Sequence, residues 1–384
     1  MTNGRLSIAH VTEAFAGGVI TYMTLMLSQL KAHGHDVTLF CSDGRRDPRF
    51  DEAVDAMSRS GVAVRTLPMR RSFAPWADAR EAIRLRREFK NGRYDLVHTH
   101  GTKAGLIGRL AARLVGVPAV HTPHCYAFLR AGTRAQALLI RLAERAMTAN
   151  TAGLIAVCPS EMGIAVTHGL IDPRRCTVIS NGLPDIDTAV VPDRTRARQT
   201  FGLSPSAWVV TMAARLVDYK GIGLFLEIAK RCRDMNVVFV LAGHGEREAW
   251  VREQVDRLGL ADHVRVVGHV RDVPSLLAAS DICVLCSVAE GQPYILLEAM
   301  RGGCAIVATD GPGIADMLED GKTALLTRRD AGELALAIRR LAGDELLRTH
   351  LVARARERFL EAHQLGRQVD ALTKAYEMFR ENRS

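Results

Sequence analysis

Asp281–Gly303 reads DICVLCSVAEGQPYILLEAMRGG. The first six residues are a short apolar run, the pattern of a strand buried on both faces. Gly291 then permits a sharp turn. Pro293 suits a first helical position, because its missing N–H is one that no helical partner would take. From Tyr294 on, YILLEAM has the composition of a helix. Strand, loop and helix in this order form half of a βαβ unit, and two glutamates stand eight positions apart in it, Glu290 in the loop and Glu298 in the helix.

The same alternation runs along the whole chain of 384 residues. The first half offers LSIAHV, HDVTLFC, YDLVHTH, PAVHTPH and GLIAVCP as strands. The second offers SAWVVTMAARL, NVVFVLAGHG, HVRVVGHV, SDICVLCS and CAIVATDG. Helical patterns separate them, so both series predict parallel sheets. A chain of this length exceeds one ordinary core. We therefore expect an α/β protein of two Rossmann-like, doubly wound domains facing across a cleft. The N-terminal domain takes residues 1–187 and the C-terminal domain residues 188–365. After Asp187 the charged and Pro-containing stretch AVVPDRTRARQTFGLSP reads as a linker.

Composition narrows the class. Hydrophobic residues make up 48% and charged residues 24%, as in a globular protein. No apolar run reaches the roughly 18 residues of a membrane span. MTNGRLSIAHV lacks the basic start and long apolar core of a secretory signal, so a cytoplasmic location is expected. The eight cysteines are scattered, which disfavours a disulfide framework. Cys283 and Cys286 form a lone C-x-x-C inside an apolar run, where small buried side chains are a better reading than zinc or redox chemistry. The net charge of +9 is uneven: residues 61–146 alone carry +11. A basic face of this kind suits an anionic membrane surface or is simply solvated. The few aromatics do not form the stacking platform of a single-strand binder, and no nucleic-acid partner is expected.

In doubly wound sheets, ligands bind beyond the carboxyl ends of the strands. Past the first strand stand Gly17 and Gly18, where backbone can approach a ligand, although the dinucleotide fingerprint G-x-G-x-x-G is absent. Later strand ends carry His98, His100 and Lys103, then His121 and His124. Zinc is a rival reading for these histidines, without carboxylate or cysteine ligands in a familiar spacing. His98 and His121 lie within apolar runs, as core histidines do. In the second half Arg215 follows a strand and Lys220 comes five residues later, before Gly221 and a helix, a good grip for a diphosphate. The N–H groups of Tyr294, Ile295 and Leu296 open another helix and are suited to phosphate oxygens. Glu298, about one turn in, can accept from two adjacent sugar hydroxyls, as acidic residues do with ribose. Glu290 would face a hydroxyl-rich or cationic group. An acid stabilising the helix dipole accounts for one carboxylate but not for the arrangement.

Glu290–Glu298 with the following A-M-x-x-G-x-x-I-V-A-T resembles the E-x7-E motif of retaining glycosyltransferases of the GT-B fold, family 4. Arg215…Lys220-Gly221, Gly17-Gly18, H-T-P-H and the strand end AGHG stand in that family's order, so the resemblance covers nearly the whole chain. It implies that Arg215 and Lys220 neutralise the donor diphosphate, that Glu298 holds the nucleotide ribose, and that Glu290 contacts donor-sugar hydroxyls near the anomeric carbon. His124 would reach the donor sugar. Gly17 and Gly18 would approach the donor phosphate and acceptor, Gly243 belongs to AGHG, and Gly268–Arg271, with Val270, would lie near the base. Gln292 stands where the family usually has a bulky apolar residue. The final helix, from about residue 366 to 384, would complete the N-terminal domain. The resemblance further implies a nucleotide-sugar donor, UDP being the usual one, a saccharide or lipid-linked saccharide acceptor in surface polysaccharide assembly, and neither metal nor cofactor. Asp185 and Asp187 match the D-x-D of metal-dependent transferases of another fold, by coincidence in this reading. A GT-B-fold nucleotide-sugar 2-epimerase and a non-catalytic sugar-nucleotide binder are the alternatives. The presence of Arg215, Lys220, Glu290 and Glu298 together argues against both.

Overall fold

A computed structural model describes residues 4–44, 47–186 and 193–381. It contains two compact units, residues up to Asn181 together with those from Leu365 on, and Gly182–Gln364. The expected division at 187/188 falls in a stretch outside the described residues; the two units part after Asn181.

The first unit is built on seven strands: β1 (Ser7–Thr12), β2 (Asp36–Cys41), β3 (Ala63–Thr66), β4 (Leu96–His100), β5 (Ala119–Thr122), β6 (Gly153–Ala156) and β7 (Cys176–Val178). All neighbours pair parallel, in the order β3-β2-β1-β4-β5-β6-β7. The second unit repeats the plan with β8 (Trp208–Ala213), β9 (Val237–Ala242), β10 (Val264–Gly268), β11 (Ile282–Leu285), β12 (Ala305–Thr309) and β13 (Leu325–Thr327), in the order β10-β9-β8-β11-β12-β13. Both orders reverse once, between β1 and β4 and between β8 and β11. At such a reversal the loops after two neighbouring strands diverge to opposite faces and leave a crevice. The central strands are apolar because helices cover both faces; every residue of β4, β11 and β12 is buried.

The sequence reading differs from the structure in three places. First, β3, β7 and β13 have only four, three and three residues, at or near sheet edges, and β3 is largely exposed, so no apolar run announces them. Secondly, the presumed linker contains a helix, Arg194–Thr200. Asp193 caps it by accepting from Arg196 N–H at 2.7 Å. Arg194 and Arg198, one turn apart, both donate to Asp281, at 2.6 and 2.8 Å, and Asp281 also accepts from Val209 N–H. The charges that look like solvent exposure therefore tie this helix to the second sheet. Thirdly, Pro293 is the N-cap rather than the first helical residue; the helix is Tyr294–Gly302.

The helix Leu365–Glu381 belongs to the first unit. Tyr376 Oη lies 2.6 Å from His98 Nδ1, and the Phe379 ring occupies the space that a side chain at Gly153 would fill.

Candidate active site

In the second unit, the loops at the β8/β11 reversal hold four of the expected residues. After β8 the chain passes Arg215, makes one 3-10 turn at Asp218–Lys220, and enters the helix Ile222–Arg231 through Gly221. Gly221 has φ 77°, and a β-carbon there would stand 2.2 Å from Cys286 O. The loop after β8 is thus pressed against the end of β11, and only glycine fits between them. Lys220 Nζ donates to Glu290 Oε1 across the two loops, with both side chains mostly buried, 15% and 8% exposed. Arg215 is half-buried and has no side-chain ion pair among the described residues.

Glu290 is held from a third side. Its N–H donates to Pro312 O at 3.1 Å. Gly313 lies so close that a β-carbon would meet Gly291 O at 2.1 Å and Glu290 O at 2.3 Å. The loop after β12 is therefore part of this site, which the sequence reading missed. Its Gly-Pro-Gly at 311–313, directly past an apolar strand, was the available signal. Beyond Glu290, Pro293 is the N-cap of the helix Tyr294–Gly302 and has no side-chain acceptor to offer it. Leu296 N–H, one of the three expected amides, donates to Pro293 O at 3.1 Å. Glu298 lies half-buried in the helix's second turn. Gln292 is buried, its Nε2 3.5 Å from His363 Nδ1.

Gly243, at the end of β9, donates its N–H to Gly268 O at 2.6 Å. This joins AGHG to the Gly268–Arg271 segment, whose Val270 packs partly buried against the core. A cavity of about 210 Å³ lies beside the β8 loop, lined by Asp218, Arg247, Trp250 and Arg329 among others. None of Arg215, Lys220, Glu290 or Glu298 lines it.

In the first unit, Gly17 caps the helix Gly18–Ala32. Its N–H donates to Asp47 Oδ2 at 2.8 Å, and Arg49 donates to its carbonyl at 2.9 Å. Burial pushes the Asp47 carboxyl up, but the Arg49 guanidinium and the Gly17 and Arg49 N–H groups outweigh it and hold the group down at about 2. The Asp47–Arg49 clamp was also missed; an Asp-Pro-Arg turn was its only trace. Lys103 is buried and bonded to Asp78 and Ser72 O, so it anchors a loop.

The histidines gather at the β1/β4 reversal. His98 spends Nδ1 on Tyr376 Oη and Nε2 on Thr122 Oγ1, at 2.6 and 2.8 Å. His121 lies against Thr99, and burial, then the nearby Arg109, push its pKa well down. Both are core residues. His124 is half-buried with φ 52°, and its Nε2 is 3.0 Å from His100 Nδ1. Ring nitrogens of His10, His98 and His100 lie within 4.8 Å of one another, near enough for a shared metal. The donor set does not fit one, because His98 has no nitrogen to give. In the second unit Cys283 and Cys286 are buried free thiols; burial pushes Cys286 up to about 12 and Cys283 well above its ordinary value. Asp185 pairs with Arg356 at 2.7 Å, while Asp187 lies outside the described residues.

Known proteins resemble this chain in sequence and in fold. A model described as "Glycosyl transferases group 1" fits residues 207–344, and one described as "Glycosyl transferase 4-like domain" fits residues 17–182. The chain is 28% identical to UDP-Gal:alpha-D-GlcNAc-diphosphoundecaprenol alpha-1,3-galactosyltransferase of Escherichia coli, over 98% of this chain and 97% of that protein. It is 31% identical to a D-inositol 3-phosphate glycosyltransferase of Geodermatophilus obscurus, over 77% and 68%. Anabaena HepE, solved with UDP-glucose, superposes with a TM-score of 0.80 at 19% identity, over 97% and 100% of the two chains. These matches give the epimerase alternative no support.

Proposed function

We propose, for a chain that belongs to the group 1 glycosyl transferases and is a GT-B glycosyltransferase, that it moves a sugar from a UDP-sugar to a saccharide or lipid-linked saccharide with retention of anomeric configuration and without a metal. The observation that carries this reading is the meeting of Lys220 and Glu290 at the β8/β11 reversal, ahead of a helix whose N-cap is a proline, with Arg215 on the same loop as Lys220. Breaking the sugar–phosphate bond leaves negative charge on the departing diphosphate and builds positive charge on the sugar ring. Arg215, Lys220 and the amides at Tyr294 and Ile295 oppose the first, and being fixed in advance they need no reorganisation as the bond breaks. Two cations fill the role a divalent ion would otherwise have. Glu298 takes the ribose hydroxyls, and Glu290, positioned by Lys220 and Pro312 O, takes hydroxyls of the donor sugar. His124 contacts that sugar too, and Gly17 and Gly18 let backbone approach phosphate and acceptor. Gly243 and Val270 belong to the base side. In this reading the acceptor attacks from the leaving-group face, and the leaving phosphate helps to take its proton.

The test is the product. Supplied with an α-linked UDP-sugar and a polyprenyl-diphosphate saccharide, the enzyme should form an α-glycosidic bond, read by the anomeric proton coupling, at a rate that EDTA leaves unchanged. A β-linked product, or activity lost to EDTA and restored by Mg²⁺, would contradict it.

The acceptor proposal includes a peripheral place on the inner face of the membrane. Among the described residues no helix is long and apolar enough to cross one. The helix Pro75–Gly92 packs on Thr102–Arg113, which packs on Arg134–Ala146. These helices and the adjoining loop expose Trp76 (90%), Leu139 (68%), Phe73 and Leu142. Arg80, Arg84, Arg87 and Arg145 are exposed on the same helices. Apolar tips among cations suit an anionic bilayer, where each cation contributes about 1 kcal/mol. The protein should co-sediment with phosphatidylglycerol vesicles, and Arg84→Glu with Arg87→Glu should weaken this at least about tenfold. Equal sedimentation with neutral vesicles would end the proposal of an anionic surface, and no sedimentation with either would end the membrane proposal.

A further inference from the structure

We infer that His10, a strand residue that the proposed chemistry does not use, fixes the tautomer of His124 through His100, so that His124 presents an Nδ1–H donor. The inference rests on the reading of His124 as a donor-sugar contact for its consequence, though not for its geometry.

β1 and β4 are neighbours, with His10 opposite His98 and Thr12 opposite His100. His10 Nδ1 stands 3.0 Å from His100 Nε2, with the rings stacked 12° from parallel. His100 Nδ1 stands 3.0 Å from His124 Nε2, with the rings 24° apart. His98 does not enter this chain, since Tyr376 and Thr122 occupy both its nitrogens. Tyr22 packs its ring against His124 at 4.8 Å between centroids and steadies it.

Burial keeps the three rings neutral at physiological pH. It lowers His10 and His124 to about 3 and His100 well below its ordinary range. A neutral imidazole carries one N–H, and each of the two contacts holds one proton. Only two patterns satisfy both contacts. Either all three rings are protonated at Nδ1, or all three at Nε2. The choice is made at the buried end. His10 Nε2 is shielded from solvent and has no partner among the described residues. A proton there would be an orphaned buried donor, which folded proteins avoid more strictly than an unpaired acceptor. His10 therefore keeps Nε2 bare and donates from Nδ1, His100 donates onward from Nδ1, and His124 is left with its own hydrogen on Nδ1. That hydrogen is available to an acceptor, such as a hydroxyl oxygen or a phosphate oxygen of the donor. A His124 fixed the other way would offer a lone pair and select a different contact.

His10 is thus a positioning residue, and nitrogen NMR of the histidine-labelled protein reads its effect directly. In the wild type without substrate, His124 should show a protonated Nδ1 and an unprotonated Nε2; a ring protonated at Nε2 overturns the inference. His10→Asp presents an acceptor where Nδ1 donates, which draws the His100 proton to Nε2 and should turn His124 to Nε2–H, lowering kcat roughly tenfold, the worth of about one hydrogen bond, with KM for the donor little changed. His10→Asn keeps a donor at the Nδ1 position and should restore both the tautomer and the rate. If His10→Asp folds and leaves the His124 tautomer unaltered, the relay is wrong. If the tautomer behaves as stated but His124→Ala turns over normally, the donor-contact reading of His124 fails, and with it the consequence drawn for catalysis.

Discussion

Lys220→Ala is expected to lower kcat by about 10²- to 10³-fold, the cost of removing one preorganised group that meets charge developing in a transition state. Lys220 is placed for this by two contacts and its neighbour: Glu290 bonds its ammonium, the Tyr219 ring lies 5.5 Å from it, and the next residue, Gly221, is pressed against Cys286 O. Removing it also leaves Glu290 buried without this cation, so some stability is lost as well. Lys220→Arg keeps the charge but not the shape, since a planar fork replaces a point charge in a narrow space, and should recover the rate only in part. Steady-state kinetics with a saturating donor separates these outcomes. A Lys220→Ala enzyme with kcat within about threefold of the wild type would remove Lys220 from the chemistry.

The second large effect concerns the fold. Arg109 and Glu144 form an ion pair at 2.6 Å in the first unit, each side chain only 2% exposed. Arg109 also donates to Gly105 O at 2.7 Å and Thr151 Oγ1 at 3.1 Å. This ties the helices Thr102–Arg113 and Arg134–Ala146 beneath the basic apolar face. Glu144→Ala leaves the guanidinium buried without its carboxylate and should cost about 3–5 kcal/mol. For a unit of this size that is a fall of roughly 10 °C in melting temperature, visible by calorimetry. Replacing both partners together, Arg109→Leu with Glu144→Leu, should return most of the loss, because no buried charge then stands alone. A single variant melting within about 2 °C of the wild type would contradict the account of this pair.

The architecture was legible because parallel sheets covered on both faces need continuous apolar strands, and β1, β4, β8, β11 and β12 supply them. The short edge strands were not, since Ala63–Thr66 and Leu325–Thr327 gain their identity from a neighbour rather than from a pattern of their own. Arg194–Thr200 looked like a linker for a related reason: the carboxylate that neutralises its arginines, Asp281, is about eighty residues away. Motif spacing suggested Lys220 and Glu290 separately, yet nothing in the sequence joined two residues 70 positions apart into one ion pair. The backbone supports at Pro312, Gly313 and Asp47 were hidden because a carbonyl or a missing β-carbon leaves no chemical signature. His10 reads as one polar residue in an apolar strand; only the strand order puts it beside His100.

The central claim is a diphosphate held by Arg215, Lys220 and the start of the helix Tyr294–Gly302. Calorimetric titration of UDP and UMP tests it, because the two ligands differ by one phosphate. The account predicts that the wild type binds UDP at least about tenfold more tightly than UMP, a charged hydrogen bond's worth, and that Arg215→Ala abolishes most of that difference. Equal affinities in the wild type, or a difference that survives intact in Arg215→Ala, would contradict it.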